Sequence, residues 1–358
     1  MRFTRRLFVA GGAIAATPLA LLSIPARAAT APPPPYVPVP GPGTGALTGM
    51  RTELAPTDSA MPPGVVNGPC QPTAAHPYPV VLVHGTFANE NFSWQTLAPM
   101  LSDAGYCVFG LNYGATAWTT YSSDHEYGVD YVEHSAAQLQ HFIQSTVLPD
   151  TVEPSGNAAG YPGGSNPTQV DIVGHSQGGM MPRYMIDTTS SPQYPGLGDA
   201  AMVHTLVGLA PSNQGSTLDG MVTLDRALAQ ASGNPSAPYT YGTFGGDCGA
   251  CGEQQAGSPF LQALNGQPDA AGVDYYVVES NRDEVVTPYT NAFLPSSENV
   301  ENLTVQDQCP TDGTEHVGII YDPVALQDVI AALADNGSTV TPVPQPSCPP
   351  MVAPVISG

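Results

Sequence analysis

Residues 170–179 read Val-Asp-Ile-Val-Gly-His-Ser-Gln-Gly-Gly, and this run restricts the fold more than any other stretch of the chain. Its apolar, β-branched start predicts a buried strand, and the residues from Gln177 onward predict a helix. Passing from strand to helix within a few residues folds the backbone against itself, so Gly174 and Gly178 are needed where a Cβ would clash. The serine between them is lifted above the sheet at a helix N-terminus, where negative charge is favoured. A Gly-x-Ser-x-Gly pattern alone is weak. Flanked by strand and helix, with Gly179 adding room, it makes Ser176 a candidate nucleophile.

The rest of the chain supplies a scaffold for such a turn. Strands are predicted at Tyr78–Val83, Tyr106–Leu111, Gln169–Val173, Thr205–Leu209, Val273–Glu279 and Leu303–Gln306. Helices are predicted over Trp94–Ala104, from Gln177, over Val324–Leu333, and within 128–148, where Val132, Ala136, Leu139, Phe142, Ile143 and Val147 form a stripe. Strands alternating with helices mean an α/β domain with a mostly parallel central sheet flanked by helices. We place it at residues 47–340.

A nucleophilic serine needs a base, and the base needs a carboxylate to orient it. On a sheet of this kind the chain order is Ser, acid, His. Two histidines follow Ser176. His204 precedes a strand and comes before any acid at a strand end; His316 lies in the loop after the last predicted strand and is the expected base. Asp283 directly follows strand Val273–Glu279, where side chains point into the crevice at the carboxyl edge. Glu284 is the alternative acid, and Asp312 and Glu315 read as loop surface charges. Backbone N–H donors for an oxyanion are expected at Gln177 and at Thr86, in the loop His84-Gly85-Thr86 after the first strand. The Thr86 hydroxyl offers a third hydrogen bond, while His84 and His175 read as structural.

Both ends of the chain have a different character. Of 39 prolines, 16 lie in residues 1–79 and six in the last 18, leaving an ordinary density between. Residues 1–28 read as an export signal of twin-arginine type: Arg5-Arg6, an apolar stretch from Leu7 to Leu22, then Ala26-Arg27-Ala28 as cleavage site. That stretch is too short and interrupted for a membrane span. Residues 29–46 are a Pro-rich linker and 341–358 a Pro-rich tail. The protein is expected to be secreted. Eight Lys+Arg against 30 Asp+Glu, a net charge of −22, exclude a nucleic-acid partner. Six cysteines fit disulfides in an oxidising compartment, with 15 connectivities open from sequence alone. No metal or other cofactor is expected, because Cys248 and Cys251 are the sole close cysteine pair and His125, His134 and His141 lack metal-binding spacing.

The stretches Pro79–Trp94, Gly105–Tyr113, Asp171–Tyr184, Leu209–Thr217, Asn281–Phe293 and Gln306–Val324 resemble the secreted bacterial class 2 triacylglycerol lipases of the α/β-hydrolase superfamily and, more distantly, Candida antarctica lipase B. The resemblance implies an α/β-hydrolase fold, Ser176, Asp283 and His316 as triad, and Thr86 and Gln177 as oxyanion donors. It also implies the pairings Cys70–Cys107, Cys248–Cys251 and Cys309–Cys348. The implied substrate is a lipid or other carboxylic ester, met at a lipid–water interface. Gly114–Tyr131, with Trp118, Tyr121 and Tyr127, and Tyr239–Phe244 read as rims of an apolar cleft. Two alternatives stay open from the sequence: an acyltransferase using the same triad, and a non-catalytic envelope-binding relic.

Overall fold

The computed structural model describes residues 61–116, 126–151, 167–217, 220, 248–335 and 340–348. The export signal, the linker, Trp118, Tyr121, His125 and Tyr239–Phe244 lie outside the described residues. Among those described, six strands form one all-parallel sheet: β1 (Val80–Val83), β2 (Val108–Leu111), β3 (Val170–His175), β4 (Val203–Leu209), β5 (Asp274–Glu279) and β6 (Val300–Thr304). Their order is β2-β1-β3-β4-β5-β6. The α-helices of four or more residues are α1 (Glu90–Trp94), α2 (Leu97–Ala104), α3 (Val132–Phe142), α4 (Gln177–Ile186), α5 (Gly249–Glu253), α6 (Pro259–Leu264), α7 (Val305–Gln308) and α8 (Pro323–Leu333), and helical backbone carries α3 on through Ile143–Val147 and Leu148–Asp150.

Strands β1 to β5 are buried at every residue, as expected of a parallel sheet covered on both faces. Each fully buried Val or Leu among them contributes about 1.5–3 kcal/mol. The six apolar residues of the 128–148 stripe are all fully buried. The outer edge of β2 is covered by the segment that precedes β1: Asn67 accepts from Gly110 N–H at 3.0 Å and donates to Gly110 O at 2.8 Å, standing in for a neighbouring strand.

Two elements differ from the sequence reading. The last strand is Val300–Thr304 rather than Leu303–Gln306, and Val305–Gln308 turns into α7. As an edge strand with four half-buried residues, β6 needs no apolar run, so the Leu303-Thr304-Val305 run, with its apolar and β-branched side chains, marks the end of the strand rather than its start. The helix predicted over Trp94–Ala104 is two helices, α1 and α2, with the break at Gln95–Thr96.

The strand order reverses around β1, which pairs with β2 on one side and β3 on the other. The register sets Val83 opposite Gly174, so the loops leaving β1 and β3 emerge side by side at the carboxyl edge. A crevice opens at such a switch point. Beyond β4, the last two loops on that edge leave β5 and β6, which pair up to Glu279 and Thr304.

Three disulfides are present, Cys70–Cys107, Cys248–Cys251 and Cys309–Cys348, with Cα–Cα distances of 5.8, 5.4 and 5.5 Å. These are the pairings implied by the resemblance. The third anchors the Pro-rich tail beside α7, where Gln345 Nε2 donates to Gln308 O and Ser347 N–H donates to Gln327 Oε1. Closing a loop with a separation of 39 residues removes denatured-chain entropy worth about 4 kcal/mol in the chain-entropy model. Cys348→Ala is therefore expected to lower unfolding stability by up to about 4 kcal/mol, read from denaturant melts. Peptide mapping without reductant is expected to recover Cys309 joined to Cys348.

Candidate active site

Ser176 sits alone between β3 and α4 with φ 54° and ψ −123°, a left-handed conformation that a side chain adopts only under strain. The strain is imposed by close approach. A Cβ on Gly174 would lie 1.8 Å from Gly178 O, and one on Gly178 would lie 2.2 Å from Val83 O. Ser176 N–H donates to Leu209 O at 2.9 Å, and Ser176 O accepts from Gly179 N–H at 3.0 Å. The turn is thereby tied to both β4 and α4.

The loop after β1 lies against this serine. A Cβ on Gly85 would be 3.1 Å from Ser176 Cβ, which brings Thr86 next to the turn. Among the described residues, neither Thr86 N–H nor Gln177 N–H donates a hydrogen bond, so both remain available to a ligand. The Thr86 hydroxyl is engaged instead. It accepts from Gln254 Nε2 at 2.8 Å and donates to Gln177 Oε1 at 2.8 Å. Gln254 Oε1 accepts from Ser212 Oγ at 2.8 Å, completing a buried chain from Ser212 to Gln177. With its single proton spent on Gln177, the hydroxyl has none left to donate in this arrangement; the chain instead holds Thr86 and Gln177 together. Gln254 follows α5, the helix stapled by Cys248–Cys251.

His316 Nδ1 lies 2.6 Å from Asp283 Oδ2, with both side chains fully buried. Asp283 Oδ1 accepts from Val285 N–H and Val286 N–H, each at 2.7 Å, which orients the carboxylate. His316 Nε2 is buried without a hydrogen-bond partner. Ring nitrogens of catalytic histidines commonly find their partner only in the substrate complex. Burial alone would lower the His316 pKa, but the charge and hydrogen bond of Asp283, with Glu284 and Glu315 behind it, hold it above the ordinary histidine value. Glu284 makes no hydrogen bond to His316 among the described residues; its Oε1 is buried and unpartnered.

Asp312 and Glu315 are buried rather than surface charges. Each caps backbone in the loop carrying His316: Asp312 Oδ1 accepts from Thr314 N–H at 2.8 Å, and Glu315 Oε2 accepts from Val317 N–H at 2.8 Å. Ser280 Oγ donates to Thr314 O at 2.7 Å and accepts from Gln306 Nε2 at 3.0 Å, joining the loops after β5 and β6. His175 has a positioning role as well. Its Nε2 donates to His316 O at 2.8 Å, and burial drives its pKa well down, so it stays neutral. His84 is likewise pushed down to about 4 by burial and receives the Tyr113 hydroxyl on its carbonyl at 2.6 Å.

A second histidine–carboxylate pair, His204 Nδ1 to Asp171 Oδ1 at 2.9 Å, lies at the amino ends of β4 and β3. Five strand residues, about 16 Å, separate Asp171 from Ser176, so this pair cannot serve that serine. Ser212, Gln254, Ser280 and Gln306 belong to no motif that would assign them a part, although Ser212 and Gln306 fall within stretches that carry the resemblance. Cavities of about 440 Å³ beside Asp187 and Gln267 and of about 340 Å³ beside Tyr131 and Cys251 are not lined by Ser176.

The family model described as Lipase (class 2) matches residues 163–328, which include Ser176, Gln177, Asp283 and His316 but not Thr86. Among solved structures, Aspergillus fumigatus lipase B is 19% identical, with 78% of this chain and 56% of that chain covered at a TM-score of 0.51. The chain thus spans a little over half of that lipase. A metagenome-derived lipolytic enzyme is 15% identical over 76% of this chain and 98% of that one, with a TM-score of 0.42. Bacillus licheniformis lipase BlEst2 is 16% identical over 65% and 85%, with a TM-score of 0.38. A search of curated proteins found no match.

The environment of His316 makes its titration a direct probe. In NMR its imidazole is expected to titrate above 6.5, the ordinary value. Glu284→Gln removes one of the charges that favour the imidazolium and is expected to lower that pKa. Asp283→Asn is expected to lower it further, because burial is then opposed by less. A folded pKa above the unfolded one means that the pair stabilises the fold fully below the unfolded pKa. That contribution is lost as pH rises through the folded value.

Proposed function

We propose that this chain, a distant relative of the class 2 lipases built on the α/β-hydrolase fold, is an exported serine carboxylic-ester hydrolase that works through an acyl-enzyme on Ser176. The observation that carries the reading is the buried His316–Asp283 pair at 2.6 Å, set on the same sheet edge as a serine held at positive φ. In this reading Ser176 Oγ attacks the ester carbonyl carbon while its proton passes to His316 Nε2. The oxyanion is received by the backbone N–H groups of Thr86 and Gln177. Collapse breaks the acyl C–O bond, and the alcohol leaves with the proton from His316. Water then gives a proton to His316 as its oxygen attacks the acyl carbon; Ser176 recovers that proton as the acid departs. Asp283 holds the imidazole with Nε2 free and stabilises the imidazolium.

We assign the substrate to lipid esters because the class 2 lipase match spans Ser176, Asp283 and His316. The export assignment rests on residues 1–28, with Arg5-Arg6 directing the twin-arginine route, and three disulfides fit an oxidising destination. Among the described residues no helix is long and apolar enough to cross a membrane.

Ser176→Ala is expected to abolish hydrolysis of a chromogenic butyrate ester while leaving the melting curve in place, and an organophosphate is expected to label Ser176 in the wild type. Asp283→Asn is expected to cut turnover by about 10⁴-fold with a much smaller change in KM. Turnover should fall as pH drops through a value above 6.5, since protonated His316 accepts nothing. Retained turnover in the Ala variant, or label on a different serine, sinks the reading. A series of acyl lengths, with and without an emulsion, tests the lipid assignment.

A further inference from the structure

Glu279, the last residue of β5, is fully buried, and the mechanism above gives it no part. Its Oε1 accepts from Ser280 N–H at 2.7 Å, while Oε2 is enclosed with no hydrogen-bond partner. The carboxyl lies within hydrogen-bonding reach of Asp283. Two ionised carboxylates only accept, so they cannot satisfy each other; with one proton between them they can. Adjacent buried carboxyls of like charge do not both ionise. The donor count decides which one keeps the proton. Asp283 receives three hydrogens, from Val285 N–H, Val286 N–H and His316 Nδ1, and Glu279 receives one.

We propose that Glu279 is a neutral carboxylic acid whose Oε2–H donates to the Asp283 carboxylate, making it a positioning residue behind the acid that orients His316. This rests on Asp283 being that acid. Burial first, then the charges of Asp283 and Glu284, favour the protonated form of Glu279, against the single opposing hydrogen bond from Ser280. The donated proton fixes the carboxylate plane and spreads its charge. Asp283 then supports the His316 imidazolium less strongly than a bare carboxylate would. The pH at which His316 becomes an acceptor is therefore set jointly by Asp283, Glu284 and Glu315, with Glu279 moderating the first and the neutral His175 ring facing His316 at 4.9 Å.

Three readouts test this on the full mature chain. The infrared difference between wild type and Glu279→Gln at neutral pH should contain the carbonyl band of a protonated carboxylic acid. The Gln side chain is neutral and still donates, so Glu279→Gln should leave the His316 NMR titration where it is, whereas Glu279→Leu, which lacks a donor, should raise it. Unfolding supplies a third sign. The unfolded wild type releases the Glu279 proton above about pH 4.3 while the folded state keeps it, so wild-type stability falls as pH rises. The melting-temperature advantage of Glu279→Gln should thus widen from pH 5 to pH 8. A missing carboxylic-acid band, or a His316 pKa lowered in Glu279→Gln as removal of a negative charge would lower it, overturns the proposal. So does an unshifted pKa in a folded Leu variant. Where the Leu variant does not fold, the Gln variant and the infrared band decide. None of these readouts needs turnover: a chain inert toward esters fails the hydrolase reading alone, and an active chain with an ionised Glu279 fails this inference alone.

Discussion

The lack of room around residues 174 and 178 governs the arrangement of this molecule. Gly174 and Gly178 bring the end of β3, the start of α4 and the end of β1 within backbone contact, closer than any Cβ allows. That approach forces Ser176 into positive φ and sets the loop carrying Thr86 beside it. It also leaves the first N–H of α4 unspent next to the serine, where the helix end favours negative charge. The strand order then does the rest, because the reversal around β1 opens the crevice at that point. A serine on any other turn of the sheet would lack one of these neighbours.

Asp283 and His316 stand on separate elements, the loops after β5 and β6, so their alignment depends on cross-bracing rather than on chain continuity. Ser280, Gln306 and Thr314 join those two loops, and His175 ties the backbone of His316 to the turn at Ser176. A misplacement of about 1 Å can cost on the order of 10²-fold in rate, which gives such bracing its value. The surroundings of His316 are anionic. The chain has no Lys, and the one buried Arg of α4, Arg183, is paired with Asp269. The carboxylates of Asp283, Glu284 and Glu315 act on His316 together, and they outweigh its burial.

Much of this was legible in the residues because the signals were local. Five of the six strands, the stripe on α3, the turn at Ser176 and the loop placement of Thr86, Asp283 and His316 follow from runs of β-branched residues, helical spacing and chain order. Where the structure departs from the sequence reading, the causes differ. The β6 strand was misplaced because an edge strand is only half buried and needs no apolar run. Asp312 and Glu315 were read as surface charges because their partners are backbone N–H groups of their own loop, which composition does not reveal.

What the sequence determined by itself is the periodic and the covalent: which segments are strand or helix, where glycine is obligatory, and which side chains can do acid–base and nucleophilic chemistry in that order. Tertiary structure alone decided which of those groups meet. Asp283 rather than Glu284 faces Nδ1, the Thr86 hydroxyl turns to Gln177, and Gln254 and Glu279 reach the site from positions 78 and 103 residues beyond Ser176. Hydrogen bonds and charge interactions depend on distances of a few ångströms between residues far apart in the chain. Those distances are set only when the layers of the domain close on one another.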